Sequence, residues 1–277
     1  MLGAIIGDIA GSRYEFDPTN NYNFELFTGE CDFTDDTICT IAVADAMLRD
    51  RNFGESIHEW CNRYPFPMGG YGGRFAAWVH SSRPTPYNSF GNGAAMRVSP
   101  VAYLDRSKEE MLDTAAATAR PSHNHFEGIK GAQTVALAIY EALQYKEEAP
   151  LHIDEILAEC VDFSGYDIHI KKEDVINIFD ETCQGTVPVA LWIISESTDF
   201  EDAVRKAVSL GADADTLGAI VGSIAEAIWG IPTEIQIEAM SFLPHDMRSV
   251  VLHFYKRFVK HSVLHGFGDE GAAEDLM

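Results

Sequence analysis

The sequence predicts an all-α fold, built as one compact domain of orthogonally packed helices. The apolar residues of most segments recur at three- and four-residue intervals, which is the spacing of one helix face. Strand patterns are scarce: residues 187–194 have the composition of a buried strand, but their length and Pro188 near the start also fit a buried helix. No internal repeat or linker divides the chain, so one domain is expected over residues 1–265.

The individual helices follow from caps and periodicity. A helix is predicted from Thr37, where apolar residues fall on one face, and another from Ser107 to about Ala119, because Ser107 and Glu110 form a capping box. The cleanest pattern starts at Thr216 and ends near Gly230, ahead of a proline. The other predicted helices span residues 128–145, 153–161, 173–183, 187–197, 200–210, 234–242 and 245–261.

Two stretches are predicted to be irregular. Residues 62–98 are rich in Gly, Pro, Ser and Tyr, and an irregular region of that length in a compact domain usually carries function. Residues 266–277 are acidic and contain glycine, so they are expected to form a flexible tail.

Composition and charge exclude several classes of function. The 277 residues include 43 Asp and Glu against 20 Lys and Arg, a net charge of −23. Such a charge repels a phosphate backbone and argues against general nucleic-acid binding, whereas convergent carboxylates would suit divalent cations. The five cysteines lack C-x-x-C spacing and are expected to be free thiols in a reducing cytoplasm. No stretch is apolar for long enough to span a bilayer, so no membrane partner is expected.

Two short acidic clusters each precede a predicted helix. The first is Thr34-Asp35-Asp36-Thr37, and the second is Asp213-Ala214-Asp215-Thr216. Either cluster alone is explained by helix capping, because Asp and Thr satisfy the free N–H groups of a first turn. If two buried helices bring these ends together, however, four carboxylates would repel one another unless cations lay among them. Oxygen ligands without Cys or His favour Mg²⁺ or Mn²⁺ over zinc.

Glycine-rich turns form a second kind of candidate. Residues 69–73 and 91–97 could bring backbone N–H groups close to phosphate oxygens, or could simply turn tightly. In the second turn, Asn92 adds an amide and Arg97 a fixed positive charge, so ligand binding and a structural role both stay open. His123, which precedes a predicted helix, is open between the same two roles.

Taken together, these residues resemble the ADP-ribosylglycohydrolase family. The segments that carry the resemblance are Gly7-Asp8-Ile9-Ala10-Gly11-Ser12 with Glu15, Phe33-Thr34-Asp35-Asp36-Thr37, Gly91-Asn92-Gly93-Ala94-Ala95-Met96-Arg97, Ser122-His123 and residues 211–219. They occur in the order of the family and extend from residue 3 to about residue 230. The resemblance implies an all-α fold with two divalent cations, Mg²⁺ or Mn²⁺, in a central cleft.

The resemblance also implies roles for single residues. The implied metal ligands are Thr34, Asp35, Asp36, Asp213, Asp215 and Thr216. Glu15 would lie at the edge of the metal site, and the general base would be Glu15 or an aspartate such as Asp35. The implied substrate-binding residues are Gly91, Asn92, Gly93, Ala94, Met96, His123 and Tyr71.

The implied reaction is metal-dependent hydrolysis of the glycosidic bond between ADP-ribose and a protein side chain or small acceptor, through an oxocarbenium-like state. The expected partner is therefore an ADP-ribosylated protein or a small ADP-ribose derivative, and residues 62–90 are expected to govern the choice of leaving group. Two alternatives stay open: a relative that binds ADP-ribose without catalysis, and a hydrolase of another nucleoside or nucleotide bond. The complete ligand set argues against the non-catalytic alternative.

Overall fold

A computed structural model describes residues 1–145, 152–259 and Leu264, and helices joined by irregular segments make up these parts of the chain. In chain order the α-helices are α1 (Leu2–Gly11), α2 (Asp35–Arg49), α3 (Phe53–Arg63), α4 (Gly73–Val79), α5 (Gly93–Met96), α6 (Lys108–Ala119), α7 (Phe126–Tyr145), α8 (Ile153–Ser164), α9 (Lys172–Val175), α10 (Cys183–Ser195), α11 (Phe200–Val208), α12 (Ala214–Trp229), α13 (Thr233–Phe242) and α14 (His245–Phe258). Ser12–Tyr14 and Ser99–Tyr103 form 3₁₀ helices. The described residues contain no β-strand, only an isolated bridge between Gly91 and Thr182, so the all-α prediction is confirmed.

Helix α12 lies at the centre of the molecule and contacts α1, α7, α10 and α11. All of its residues except Trp229 are buried. This burial explains why its sequence is apolar on nearly every face, since a helix surrounded by other helices has no face in water. The surrounding helices therefore fix the position of its N-terminal end, which carries Asp215 and Thr216.

Glycines bring α1 and α12 into direct backbone contact. A Cβ atom at Gly3 would overlap the carbonyl oxygen of Gly222, and a Cβ atom at Gly7 would overlap that of Gly218. Because Gly3 faces the later residue of α12 and Gly7 the earlier one, the two helices run antiparallel. The end of α1 consequently lies beside the start of α12, where Gly11 faces the Ala214 carbonyl group.

Most predicted helices occur within a few residues of their predicted ends. The capping box is present: the Ser107 hydroxyl accepts a hydrogen bond from the Glu110 N–H at 3.3 Å, and the Glu110 carboxylate accepts one from the Ser107 N–H at 3.1 Å. Residues 187–195 are helical as part of α10, which begins at Cys183 and has Pro188 in its first turns. Caps and apolar spacing are local properties, which is why they could be recognised without the tertiary structure.

The helix predicted over residues 173–183 is wrong. Helix α9 ends at Val175, and Asn177 adopts a left-handed conformation with φ of 59°, which interrupts a right-handed helix. The Asn177 N–H donates to the Leu210 carbonyl oxygen at 3.0 Å. Thr182 caps α10 by accepting from the Gly185 N–H. Residues 176–182 thus form an irregular segment held by long-range contacts, which periodicity does not register.

The irregular region predicted over residues 62–98 is only partly irregular, because α4 and α5 lie within it. Helix α3, which precedes this region, was not predicted. Its local signal is the Asn52 side chain, which caps the helix by accepting from the Glu55 N–H at 3.1 Å.

Of the remaining predictions, the structure bears on the one about membrane spans but not on those about the C-terminal end of the chain. Within the described ranges, no helix has the combined length and apolarity needed to cross a membrane. The predicted tail at residues 266–277 and the domain limit at residue 265 lie outside the described residues. The last two positions of the helix predicted over residues 245–261 lie outside them as well.

Candidate active site

The two acidic clusters meet where the N-termini of α2 and α12 converge. Thr34 is the N-cap of α2, and its hydroxyl accepts from the Asp36 N–H at 3.2 Å. The Thr216 hydroxyl, in the first turn of α12, donates to Asp36 Oδ2 at 3.2 Å. The N-cap of α12 is Asp213, and Asp215 follows in the first turn. Residues that are about 180 positions apart in sequence therefore share one buried cluster, as the paired motifs predicted.

Asp8 holds one side of this cluster in place, although the sequence reasoning assigned it no role. It is fully buried on α1, where Oδ1 accepts from the Thr34 hydroxyl at 2.8 Å. Its Oδ2 accepts from the backbone N–H groups of Thr34 and Thr37, each at 3.0 Å. Asp8 thereby satisfies donors at the start of α2 from another helix. A charged residue inside the apolar segment of α1 was the signal that could have identified it.

The carboxyl groups of the cluster are strongly perturbed by burial. Desolvation, followed by the charges of neighbouring acids, raises the pKa of Asp36 and Asp215 well above the usual range of a carboxyl group. Burial likewise raises the pKa of Asp213 to about 7 and that of Asp8 to about 6. Asp35, at the start of α2, has a raised pKa for the same main reason. The acids of this buried cluster are therefore close enough that their ionised forms would repel one another.

Two oxygens of the cluster lack any hydrogen-bond partner. Asp36 Oδ1 and Asp215 Oδ1 are both buried and accept nothing. An unsatisfied buried carboxyl oxygen is costly, and a bound cation is one ligand that would satisfy it. Within the described parts of the chain, no three His, Cys, Asp or Glu side chains are arranged as a closed metal site. The fit to a hard cation therefore rests on the oxygen donors and on the two orphaned atoms, not on preformed coordination.

Glu15 lies beside this cluster, just after the 3₁₀ helix that continues α1. Burial raises the pKa of Glu15 to about 8, with further contributions from the charges of Asp215, Asp8 and Glu181. Its Oε2 atom lies against Gly69, where a Cβ atom would overlap it. Gly69 has φ of 75°, so a side chain at this position would meet both backbone strain and the Glu15 carboxylate.

The glycine turn at residues 91–93 forms another wall of the site. Asn92 is the N-cap of α5, and its Nδ2 donates to Asp213 Oδ2 at 2.8 Å and to the Thr186 hydroxyl at 3.1 Å. Its backbone N–H donates to the Glu181 carbonyl oxygen at 2.7 Å. Asn92 thus connects the turn both to the acidic cluster and to segment 176–182. Gly91 and Gly93 flank it and are partly exposed.

His123 packs beneath this turn, against Gly93. Its Nε2 atom is 3.1 Å from the position that a Cβ of Gly93 would occupy, and its Nδ1 is 2.7 Å from the Ser122 hydroxyl oxygen. Burial and the charges of Arg97 and Arg74 lower the pKa of His123 well below its usual range. Arg97 itself is fully buried and donates to Ser122 Oγ at 3.0 Å and to the Thr118 carbonyl oxygen at 2.9 Å. Arg97 therefore supports the turn from the interior.

Three other residues predicted to bind substrate have mainly interior contacts. The Tyr71 hydroxyl donates to the backbone carbonyl oxygens of Tyr64 at 2.7 Å and Cys61 at 3.1 Å. Ala94 and Met96 are buried in α5. These residues can therefore contact a substrate only through backbone atoms or through the ring face of Tyr71. Their part in substrate binding stays a prediction.

Segment 176–182 closes the remaining side and was not anticipated as part of the site. It is attached at one end by the Asn177 N–H bond to Leu210 and at the other by the Cys183 N–H bond to the Phe90 carbonyl oxygen, which is 2.9 Å long. A Cβ at Gly211 would overlap the Asn177 side chain, so this attachment is close. The acidic cluster thus lies among the loop after α1, the glycine turn and segment 176–182.

Comparison with protein families decides what kind of protein has this arrangement. Residues 1–262 match the family model described as ADP-ribosylglycohydrolase. The chain belongs to the ADP-ribosylglycohydrolase family. Members of this family resemble it over most of their lengths. Mouse ADP-ribosylhydrolase ARH3 is 24% identical, with 91% of this chain and 90% of that protein covered.

A bacterial relative and a solved structure extend the comparison. The ADP-ribosylarginine hydrolase Tri1 of Pseudomonas putida (strain GB-1) is 26% identical, and the match covers 83% of this chain and 70% of that protein. A solved structure described as an ADP-ribosylglycohydrolase-related protein complex superposes with a TM-score of 0.68 at 26% identity. It covers 92% of this chain and 96% of that one. The resemblance noted from the sequence motifs is thereby confirmed, and family membership indicates a hydrolase of ADP-ribosyl groups.

Proposed function

We propose that this protein is a metal-dependent hydrolase that cleaves the glycosidic bond between ADP-ribose and a protein side chain or small acceptor, releasing ADP-ribose. The observation that carries the proposal is the meeting of two acidic helix N-termini around Asp36 Oδ1 and Asp215 Oδ1, which are buried without a partner. Interior carboxylates left unsatisfied in this way destabilise a fold, so they are expected to serve a ligand.

The residues that would hold two divalent cations are the oxygen donors of the cluster, namely Thr34, Asp35, Asp36, Asp213, Asp215 and Thr216. Bound Mg²⁺ or Mn²⁺ would supply positive charge that orients ribose hydroxyls and makes a nearby water molecule more acidic. The chain itself contributes the alignment: Asp8 fixes Thr34, the Thr216 hydroxyl fixes Asp36, and Asn92 fixes Asp213.

The glycine turn offers a surface for the ADP portion of the substrate. Partly exposed Gly91 and Gly93 leave their backbone accessible, and a backbone without side chains lets phosphate oxygens approach N–H groups. Because burial lowers the pKa of His123, its expected role beneath the turn is to support the turn and to offer a hydrogen bond, without a positive charge. We expect the pyrophosphate to lie on this side of the acidic cluster.

Proton transfer is assigned to Glu15, with Asp35 as the other candidate. A carboxyl group with a pKa of about 8 can hold or release a proton near neutral pH, which suits general acid–base catalysis. In the proposed step a water oxygen bonds to the anomeric carbon, and the bond from that carbon to the acceptor atom breaks. One water proton passes to a Glu15 carboxylate oxygen and is then returned to the departing acceptor atom, while the other stays on the new anomeric hydroxyl of ADP-ribose.

The test is ADP-ribose release from a panel of linkages, with Mn²⁺, with Mg²⁺ and with EDTA. The panel contains ADP-ribosyl-arginine, ADP-ribosyl-serine, ADP-ribosylated nucleic acid and O-acetyl-ADP-ribose. We expect metal-dependent release from at least one of them, abolished by Asp36→Ala and by Asp215→Ala. Asp113→Ala, which changes an exposed acid of α6, is the matched control and should keep full activity.

The products distinguish the two alternatives. Release of AMP or phosphate instead of ADP-ribose would indicate hydrolysis of another nucleotide bond. Tight binding of ADP-ribose without any release would indicate a non-catalytic relative. Full activity in both aspartate variants would contradict the assignment of the site.

A further inference from the structure

Two exposed phenylalanines stack on each other beside the acidic cluster. The rings of Phe16 and Phe179 have centroids 6.5 Å apart and planes inclined by 29°. Phe16 is 72% exposed and Phe179 is 46% exposed. Large apolar side chains in water contribute nothing to the core, so a stacked exposed pair beside a candidate active site is a candidate contact surface.

The chain connects this pair directly to the candidate active site. Phe16 follows Glu15, whose carboxylate responds to the charges of Asp215 and Asp8. Phe179 lies in segment 176–182, two positions before Glu181, whose carbonyl oxygen accepts from the Asn92 N–H. The charge of Glu181 also acts on Glu15. The two rings therefore lie on the two loops that flank Glu15, on a different element from the glycine turn.

The chemistry of this corner favours a flat, positively charged group. Aromatic ring faces carry a negative quadrupole and attract a cation within about 6 Å of the ring centroid. Guanidinium groups stack on such faces because they are planar and weakly hydrated. Glu181, an exposed residue two positions after Phe179 on the same segment, adds a negative charge to this corner. A neutral hydroxyl acceptor would use neither the ring faces nor this charge.

We infer that Phe16 and Phe179 form a stacking surface for the leaving group and select a planar cationic one, the guanidinium of an arginine side chain. The inference rests on the proposed glycohydrolase function and assigns specificity-determining residues within it. The rings contact the group that departs, while the glycine turn contacts the ADP portion. Removing one ring therefore weakens recognition of the arginine linkage without altering recognition of ADP-ribose.

The experiment compares kcat/KM for ADP-ribosyl-arginine and ADP-ribosyl-serine in the wild-type protein and in Phe16→Ala, Phe179→Ala and Phe179→Tyr. Each alanine variant should lose about five- to tenfold in kcat/KM on the arginine linkage, as expected for one cation–π contact, and less than about twofold on the serine linkage. Phe179→Tyr keeps an aromatic face and should retain wild-type selectivity. Phe163→Ala changes a 40%-exposed phenylalanine on α8 and is the matched control.

Several results would overturn the inference. They are equal losses on both linkages, no loss on either, cleavage confined to the serine linkage, and faster cleavage of a nucleobase-linked substrate, whose leaving group is flat but uncharged. Thermal unfolding of each variant verifies that the fold is retained.

A binding measurement separates this inference from the proposed function. If the wild-type protein releases ADP-ribose from no linkage, the proposed function fails, and methylguanidinium is then titrated into the ADP-ribose-saturated protein by NMR. The stacking surface would be supported if methylguanidinium perturbs phenylalanine ring signals in the wild-type protein but binds neither Phe16→Ala nor Phe179→Ala. The non-planar methylammonium should also bind the wild-type protein more weakly. Absence of methylguanidinium binding would overturn it.

Discussion

The Thr216 hydroxyl donates a hydrogen bond of 3.2 Å to Asp36 Oδ2, joining the first turns of α12 and α2 inside the protein. Each of these turns is a helix start whose acids could be explained by capping alone. Their direct contact changes the interpretation, because capping does not require two acidic ends to meet. The other oxygen of Asp36 is left buried without a partner, which is the position in which a bound cation would stabilise the cluster.

We predict that Mn²⁺ or Mg²⁺ stabilises the wild-type protein but not Asp215→Asn. A ligand at about 100 times its Kd contributes about 2.7 kcal/mol, which corresponds to a Tm increase of about 5–10 °C for a chain of this size. Asp215→Asn removes a buried charge that the cation would neutralise, so its Tm should not respond. Differential scanning calorimetry with and without EDTA measures the effect, and Asp113→Asn should respond as the wild type does. An unchanged response in Asp215→Asn would contradict this.

We predict that the metal-free protein loses stability as the pH rises from about 6.5 to 8.5. The folded-state pKa values of Asp213, about 7, and Glu15, about 8, exceed those of unfolded carboxyl groups, so the folded state binds more protons in this range. Stability must then fall with rising pH. His123 has a lowered pKa and acts in the opposite direction, but mainly below about pH 6.5, the usual pKa of an unfolded histidine.

Urea unfolding at several pH values checks this dependence. Saturating Mn²⁺ should flatten the decline, because a cation compensates for the loss of the protons. Stability that rises over the same range in the metal-free protein would contradict the buried-carboxylate interpretation.

We predict that Gly7→Ala is strongly destabilising. Its new methyl group would overlap the backbone of Gly218 on α12, and a helix backbone cannot move aside as a flexible side chain can. Overpacking of this kind costs about 1–3 kcal/mol, and contact with backbone favours the upper end. Gly29→Ala is the control, because nothing lies within 4 Å of its added Cβ. Chemical denaturation compares the two, and equal stabilities would contradict direct contact of α1 and α12.

We predict that Asp8→Ala destabilises the protein by about 2–4 kcal/mol, since the buried N–H groups of Thr34 and Thr37 lose their acceptor. Asp8→Asn should cost less than half as much, because its amide oxygen can still accept from both. The same urea experiment measures both variants. In Asp8→Ala the response of Tm to Mn²⁺ should also weaken, as Thr34 loses the contact that orients it. Wild-type stability in Asp8→Ala would refute this positioning role.

The sequence predicted the acidic motifs of the site correctly, but it did not predict the conformation of segment 176–182 beside them. Thr34-Asp35-Asp36 and Asp213-Ala214-Asp215-Thr216 were recognisable because each combines a cap with acids and a following apolar helix. Segment 176–182 was predicted as helix because its residues have no strong local breaker. Its conformation depends on Asn177 bonding to Leu210 and on the pairing of Gly91 with Thr182, and these partners are distant in sequence.

The sequence by itself determined the features that depend on neighbours along the chain. They are the all-α class, the capping box of Ser107 and Glu110, the apolar periodicity of α12 and the motifs of the family. Only the tertiary structure decided that Asp8 supports Thr34, that Thr216 reaches Asp36, and that Phe16 stacks on Phe179. The physical reason is that caps and periodicity arise from bonds within a few residues, whereas these contacts depend on how closely helices approach. The close approach of α1 to α12 is of the same kind, since the glycines that allow it are in contact only after both helices have packed.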